Sequence, residues 1–223
     1  MSFRDRLLYT NGQLRPGLKI ALFFLLFLLF AAAAQYVITV LPRHPLQWGS
    51  LVAMTLAALL AGWILLSGID RRPFGALGFP IHRATLPELL GGLAIGSVLI
   101  GAAVLLLVLT GSAAFAPDSG TLPGYLGFLG WTFLFFGIAA AFEELVFRGY
   151  AFQALVAWIG PWPAIVIASA IFAALHGQNP NVTSLAIVNI FVAGVLLSLA
   201  YLKTRSLWFA TGVHVGWNWT MAT

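Results

Sequence analysis

Glu143, Glu144 and Arg148 combine residue types and spacing that could do chemistry, inside one of the most hydrophobic parts of the sequence. No charge falls between Tyr125 and Phe142, and none follows Arg148 until Lys203. A charge at a bilayer centre costs ~2.5 to 3.5 kcal/mol even on the lenient insertion scale, so the cluster must be paired or used. Glu144 and Arg148 are four apart with the acid N-terminal, the favourable order for an ion pair on one helix face. Their plain reading is structural support. Glu143 lies about 100° around the same helix and has no opposite charge three or four positions away. It needs a partner from another segment.

Histidine supplies the candidates. His214 and Asn218 are four apart and share a helix face, and His176 closes a separate apolar stretch. A lone buried histidine is ordinarily a satisfied packing residue. Two of only four histidines, on separate helices and accompanied by Glu and Asn, weigh against that reading. Asn179, Asn181 and Asn189 lack such company and read as packing or capping residues.

A Glu and a His at one site can bind and deprotonate a water, which makes hydrolysis one reading. A second His with an Asn opposite could donate hydrogen bonds to the oxyanion formed when water attacks an amide, worth ~2.7 to 4 kcal/mol per well-placed donor. Zinc is the alternative: His176, His214 and Glu143 could offer two nitrogens and one carboxylate and leave a position for water. Other mechanisms lack residues. Asp5, Asp70, Glu88 and Asp118 fall in loops or at a helix end, which removes a paired intramembrane aspartate site. No His-Glu-x-x-His occurs, and Ser169 and Ser198 have no Gly-x-Ser-x-Gly context. With no cysteine, thiolate nucleophiles, thiolate metal sites and disulfides are excluded.

The elements that must position these groups are membrane helices. At 61% hydrophobic and 8% charged residues, with a mean hydropathy of +0.98, the 223-residue chain cannot coat a soluble globule of its size. Apolar runs of roughly 20 residues predict an all-α, polytopic bundle of about seven transmembrane helices in one integral-membrane domain over 1–223. The first runs from Ile20 to Leu41, before a turn at Pro42–Pro45. Ala31–Gln35 resembles a signal-peptide cleavage site, but the long basic lead and the apolar continuation favour a retained helix. The second spans Gln47 to Ile69. The connection from Asp70 to Pro87 reads either as a plain loop or as an amphipathic piece on the membrane surface.

The third helix covers Glu88 to Thr110, with glycines suited to close packing. The fourth, from Tyr125, meets no breaker before Gly160-Pro161 and is expected to reach Trp158. The fifth covers Pro163 to His176, the sixth Val182 to Leu202, and the seventh begins at Leu207. Positions 143 and 176 are nearly symmetric about the Gly160-Pro161 turn, each ~25 Å from it if both helices are upright. Glu143 and His176 should therefore lie at similar depth.

Lys and Arg on alternate sides number four before the first helix, three between 70 and 87 and two at 203–205, against Arg43 alone on the other side. That bias places the N-terminus in the cytoplasm and explains the net charge of +5 as topology. No basic run with interleaved aromatics points to nucleic acid.

The ordered series Glu143-Glu144-x-x-x-Arg148, Phe172-x-x-x-His176 and His214-x-x-x-Asn218 resembles the three motifs of the CPBP intramembrane proteases, the Abi or type II CAAX prenyl endopeptidase family. Phe191-x-x-Gly194 and Thr204-x-Ser206-Leu-Trp208 extend the likeness, which covers about residues 140–220. It implies a motif-bearing core over about 125–223 and an intramembrane endopeptidase in which Glu143 and His176 activate water. His214 and Asn218 would stabilise the oxyanion, with Glu144 and Arg148 supporting. The family has also been described as zinc-dependent; the missing zinc motif favours the glutamate mechanism here.

The implied partners are membrane lipid and a peptide or protein substrate, prenylated in the eukaryotic branch and a peptide such as a bacteriocin in a prokaryote. The implied membrane is the endoplasmic reticulum in the first case and the plasma membrane in the second. The chain ends about 17 residues into the last helix, whereas members of the family continue, which leaves a C-terminal truncation open. A non-catalytic immunity protein or scaffold, or a proton-coupled transporter, would use the same buried polar cluster.

Overall fold

The computed structural model describes residues 8–10, 12–40, 48–116 and 120–223. Its helices are α1 (Pro16–Val40), α2 (Gly49–Gly68), α3 (Thr85–Leu109), α4 (Leu122–Arg148), α5 (Tyr150–Ile159), α6 (Pro161–Leu175), α7 (Ser184–Thr204) and α8 (Leu207–Ala222). Before α1, Tyr9–Thr10 (β1) and Gln13–Leu14 (β2) pair as a short antiparallel hairpin. Helices α1, α2, α3 and α7 and the α4–α5 run are each long and apolar enough to cross a membrane. The chain is thus an all-α, multi-pass integral-membrane protein. The turn expected at Pro42–Pro45 lies outside the described residues, as do Arg4, Asp5, Arg6, Arg43 and Asp118.

Helix starts follow local chemistry. The hydroxyls of Thr121, Thr183 and Ser206 each accept a hydrogen bond from an amide in the first turn they precede, at Gly124, Ala186 and Phe209. Proline has no N–H for the first helical position to waste, so α6 opens at Pro161, two residues earlier than expected.

The fourth helix departs from expectation in the middle. Gly149, at φ −75° and ψ −138°, interrupts it directly after Arg148, and α5 follows as a separate helix. A Cβ at this position would stand 2.2 Å from the Leu145 carbonyl oxygen, so the break is built for glycine. The sequence marks it by one glycine alone.

The connection after α2 also differs from both readings of it. Its 3₁₀ turn, Phe74–Leu77, folds inward, burying Leu77 and Phe79. Gly78 then accepts from the Leu207 amide at 2.6 Å, Pro80 from the Trp208 indole at 2.9 Å, and Glu88 from the Ser206 hydroxyl at 2.5 Å. Two of the basic connections, 70–84 and 203–206, are therefore stitched together at one end of the bundle.

α3 and α8 cross with almost no side-chain layer between them. A Cβ on Gly92, Gly96, Gly212 or Gly216 would meet a backbone oxygen of the facing helix at 2.1 to 2.3 Å. Such small-residue seams let two backbones pack directly within a bilayer. Ser97 adds a bond to the Gly216 carbonyl and accepts one from Thr220. On the opposite flank, Phe23 and Phe27 of α1, Ala61 and Leu65 of α2 and Tyr150 of α5 form the apolar core. α1 is thus an integral part of the bundle.

Candidate active site

α4 brings two carboxylates to the place where α6, α7 and α8 converge. Arg148 and Glu144 are both fully buried, and Arg148 Nη1 donates to Glu144 Oε1 at 3.1 Å. The remaining guanidinium contacts reach α7, with Nη2 donating to the Gly194 carbonyl at 2.9 Å and Nε to Ser198 at 3.4 Å. Phe172 stacks beneath the charge, 4.8 Å from its centre. Pairing, carbonyl bonding and a ring face together meet the demands of a buried cation.

Glu144 has a second partner. Its Oε1 accepts from His214 Nδ1 at 2.9 Å, so one oxygen ties α4 internally and to α8. With its proton on Nδ1, a neutral His214 ring presents the Nε2 lone pair, which faces Glu143 Oε2 at 3.6 Å. His176 is set the same way. Its Nδ1 donates to the Phe172 carbonyl at 2.8 Å, and its Nε2 faces that same Glu143 oxygen at 3.9 Å. Both separations exceed a direct hydrogen bond. Glu143 Oε2 is buried and has no hydrogen-bond partner.

Of the expected residues, Glu143, His176, His214, Glu144 and Arg148 therefore meet. Glu143 lies between His176 and His214, and Glu144 pairs with Arg148. Asn218 is half-buried one turn beyond His214 on α8. Asn189 and Asn181 are exposed, the latter at a positive φ in the loop before α7.

Two organising contacts escaped the sequence. The Glu144–His214 bond joins residues 70 apart, a pairing that spacing along one helix cannot reveal. Phe172 was visible only as the residue four before His176. It packs against both imidazoles and edge-on to Phe147 at 5.0 Å, a plate shared by the whole cluster.

Depth is also sharper. Glu143 is 21 residues, or about 32 Å, from the start of α4, while His214 is seven residues, or about 10 Å, from the start of α8. The site thus lies closer to the end bearing the basic connections than the ~25 Å depth of an unbroken hairpin implies.

Among the described residues no three His, Cys, Asp or Glu side chains are disposed to hold a metal ion, which disfavours the zinc alternative.

Residues 125–220, from α4 nearly to the end of α8, match the family model described as Type II CAAX prenyl endopeptidase Rce1-like. No curated protein matches the chain. The matched stretch contains every residue of the Glu143, His176 and His214 cluster, together with Glu144, Arg148, Phe172 and Asn218.

Proposed function

We propose that this protein is an intramembrane endopeptidase that hydrolyses a peptide bond near the cytoplasmic membrane face, using water activated by Glu143 and His176. The observation that carries this reading is the buried, unpartnered Oε2 of Glu143 facing two imidazole Nε2 atoms at 3.6 and 3.9 Å. All three are acceptors when the rings are neutral. Water is the smallest molecule that can donate to two of them at once, and its oxygen lone pair is then free to attack.

In the reaction, a water hydrogen bonded to Glu143 and His176 attacks the scissile carbonyl carbon. Its proton passes to the Glu143 carboxylate as the C–O bond forms, and the carbonyl oxygen becomes an oxyanion. Collapse breaks the C–N bond, and the same proton goes to the departing amine. The Asn218 amide donates to the oxyanion. His214 can donate from Nε2 only as an imidazolium, and Glu144 at its Nδ1 is the counter-charge that such a state requires. Arg148 holds Glu144 in place.

The family match supports a peptide substrate, lipidated as in the prenyl endopeptidases its name describes. The charge bias places the N-terminus and the 70–84 and 203–206 connections in the cytoplasm, so substrate reaches the site from that face.

The test is cleavage of a peptide library by the purified chain in detergent, with Glu143→Gln and His176→Ala alongside. The wild type is expected to cut peptides that both variants leave intact, with and without chelator. Equal digestion by all three proteins, or none by any, would favour the non-catalytic reading. Loss on chelation with recovery on adding zinc would overturn the metal-free mechanism.

A further inference from the structure

The glycine seam between α3 and α8 leaves one coordinate loosely set. Gly92, Gly96, Gly212 and Gly216 determine how closely the two backbones approach. A face without side chains offers no ridges to interlock, so it does little to fix how far one helix has slid along the other. That coordinate matters, because α8 carries His214, whose Nε2 faces Glu143 at 3.6 Å. Ser97 holds the far half of the seam through Gly216 and Thr220.

Glu88 holds the end that bears the basic connections. It lies in the first turn of α3, where the helix dipole favours a carboxylate. Its Oε2 accepts from the Ser206 hydroxyl at 2.5 Å, the length of a charge-assisted bond. Ser206 is 1% exposed, and its oxygen also accepts from the Phe209 amide, so the bond runs from α3 into the cap of α8. His82 backs the carboxylate on its other oxygen. Its Nδ1 accepts from the Ala84 amide at 3.1 Å, which puts the proton of a neutral ring on Nε2, 3.9 Å from Glu88 Oε1. Ser206 stands eight residues before His214, about 12 Å, and a helix passes an axial shift along its length.

We propose that Glu88 is a positioning residue for the hydrolysis, holding α8 through Ser206 at the height that sets His214 Nε2 opposite Glu143. This role rests on the peptidase reading above, so it is tested with one readout that needs no turnover. The full chain in detergent is labelled with isotopic histidine, and the His214 nitrogen resonances are identified by their loss in His214→Gln. Glu88→Ala should move those resonances and lower kcat about ten-fold or more with KM changed less than about two-fold, since a misplacement of about 1 Å costs up to ~100-fold. Glu88→Gln, whose amide oxygen still accepts from Ser206, should restore both. Ser206→Ala should match Glu88→Ala, and Ser206→Thr, which keeps cap and donor, should match the wild type. This second pair carries the comparison if Glu88→Ala does not fold.

His214 resonances unchanged in Glu88→Ala and Ser206→Ala would overturn the proposal. So would equal losses in Glu88→Ala and Glu88→Gln, or a rate that falls only in step with melting temperature. A wild type that cleaves nothing fails the peptidase reading alone, and the resonances then show whether Glu88 places His214.

Discussion

Glu143 and Glu144 are adjacent carboxylates with opposite circumstances, and the difference sets what each substitution does. Glu144 Oε1 serves Arg148 and His214 together in a fully buried setting. Removing one member of a buried ion pair strands the other charge, so Glu144→Ala or Arg148→Ala should destabilise by about 3 to 5 kcal/mol. A fall in melting temperature with loss of protein recovered from the membrane checks it. Glu143 Oε2 has no such partner. Glu143→Gln should leave the melting temperature near that of the wild type while lowering hydrolysis at least ~100-fold, the lower range of a general base. Single-turnover cleavage beside a thermal scan separates the two effects. Sequence spacing shows the Glu144–Arg148 pair because both residues share a helix, whereas the His214 bond depends on how two helices pack.

Elements carry the geometry through two glycine-dependent contacts. The α3–α8 seam brackets His214 between Gly212 and Gly216, and each of these lies against an α3 carbonyl. Gly212→Val or Gly96→Val must push the helices apart and carry His214 Nε2 away from Glu143. Each should lower both hydrolysis and melting temperature, whereas His214→Gln, with its helix in place, should lower hydrolysis with a smaller fall in melting temperature; the rate and melting temperature of both variants decide it. Gly149→Val should act on α4 in the same manner, since the break directly follows Arg148. The all-α bundle, the α6 end at His176 and the α8 start at Leu207 were legible, because apolar runs, proline and capping hydroxyls are local signals. The break at Gly149 and the inward fold of Phe74–Leu77 were not, since each depends on a distant neighbour. A lone glycine in an apolar run does not announce which carbonyl it must clear.

For the whole molecule, the pattern of basic residues makes a directional prediction that the natural absence of cysteine makes easy to test. A cysteine introduced at Thr204 should react with a membrane-impermeant maleimide from the cytoplasmic side, and one at Ser112 from the other side. The reverse pattern would invert the proposed approach of substrate. The bundle also couples stability to chemistry through one oxygen, and this has an evolutionary corollary. If the proposed hydrolysis holds, a relative that had lost it would be free to replace Glu143 and His176, yet would have to retain the buried Glu144–Arg148 pair simply to fold. Among related chains, the pair would then diagnose ancestry and the other two residues whether the proposed hydrolysis is retained.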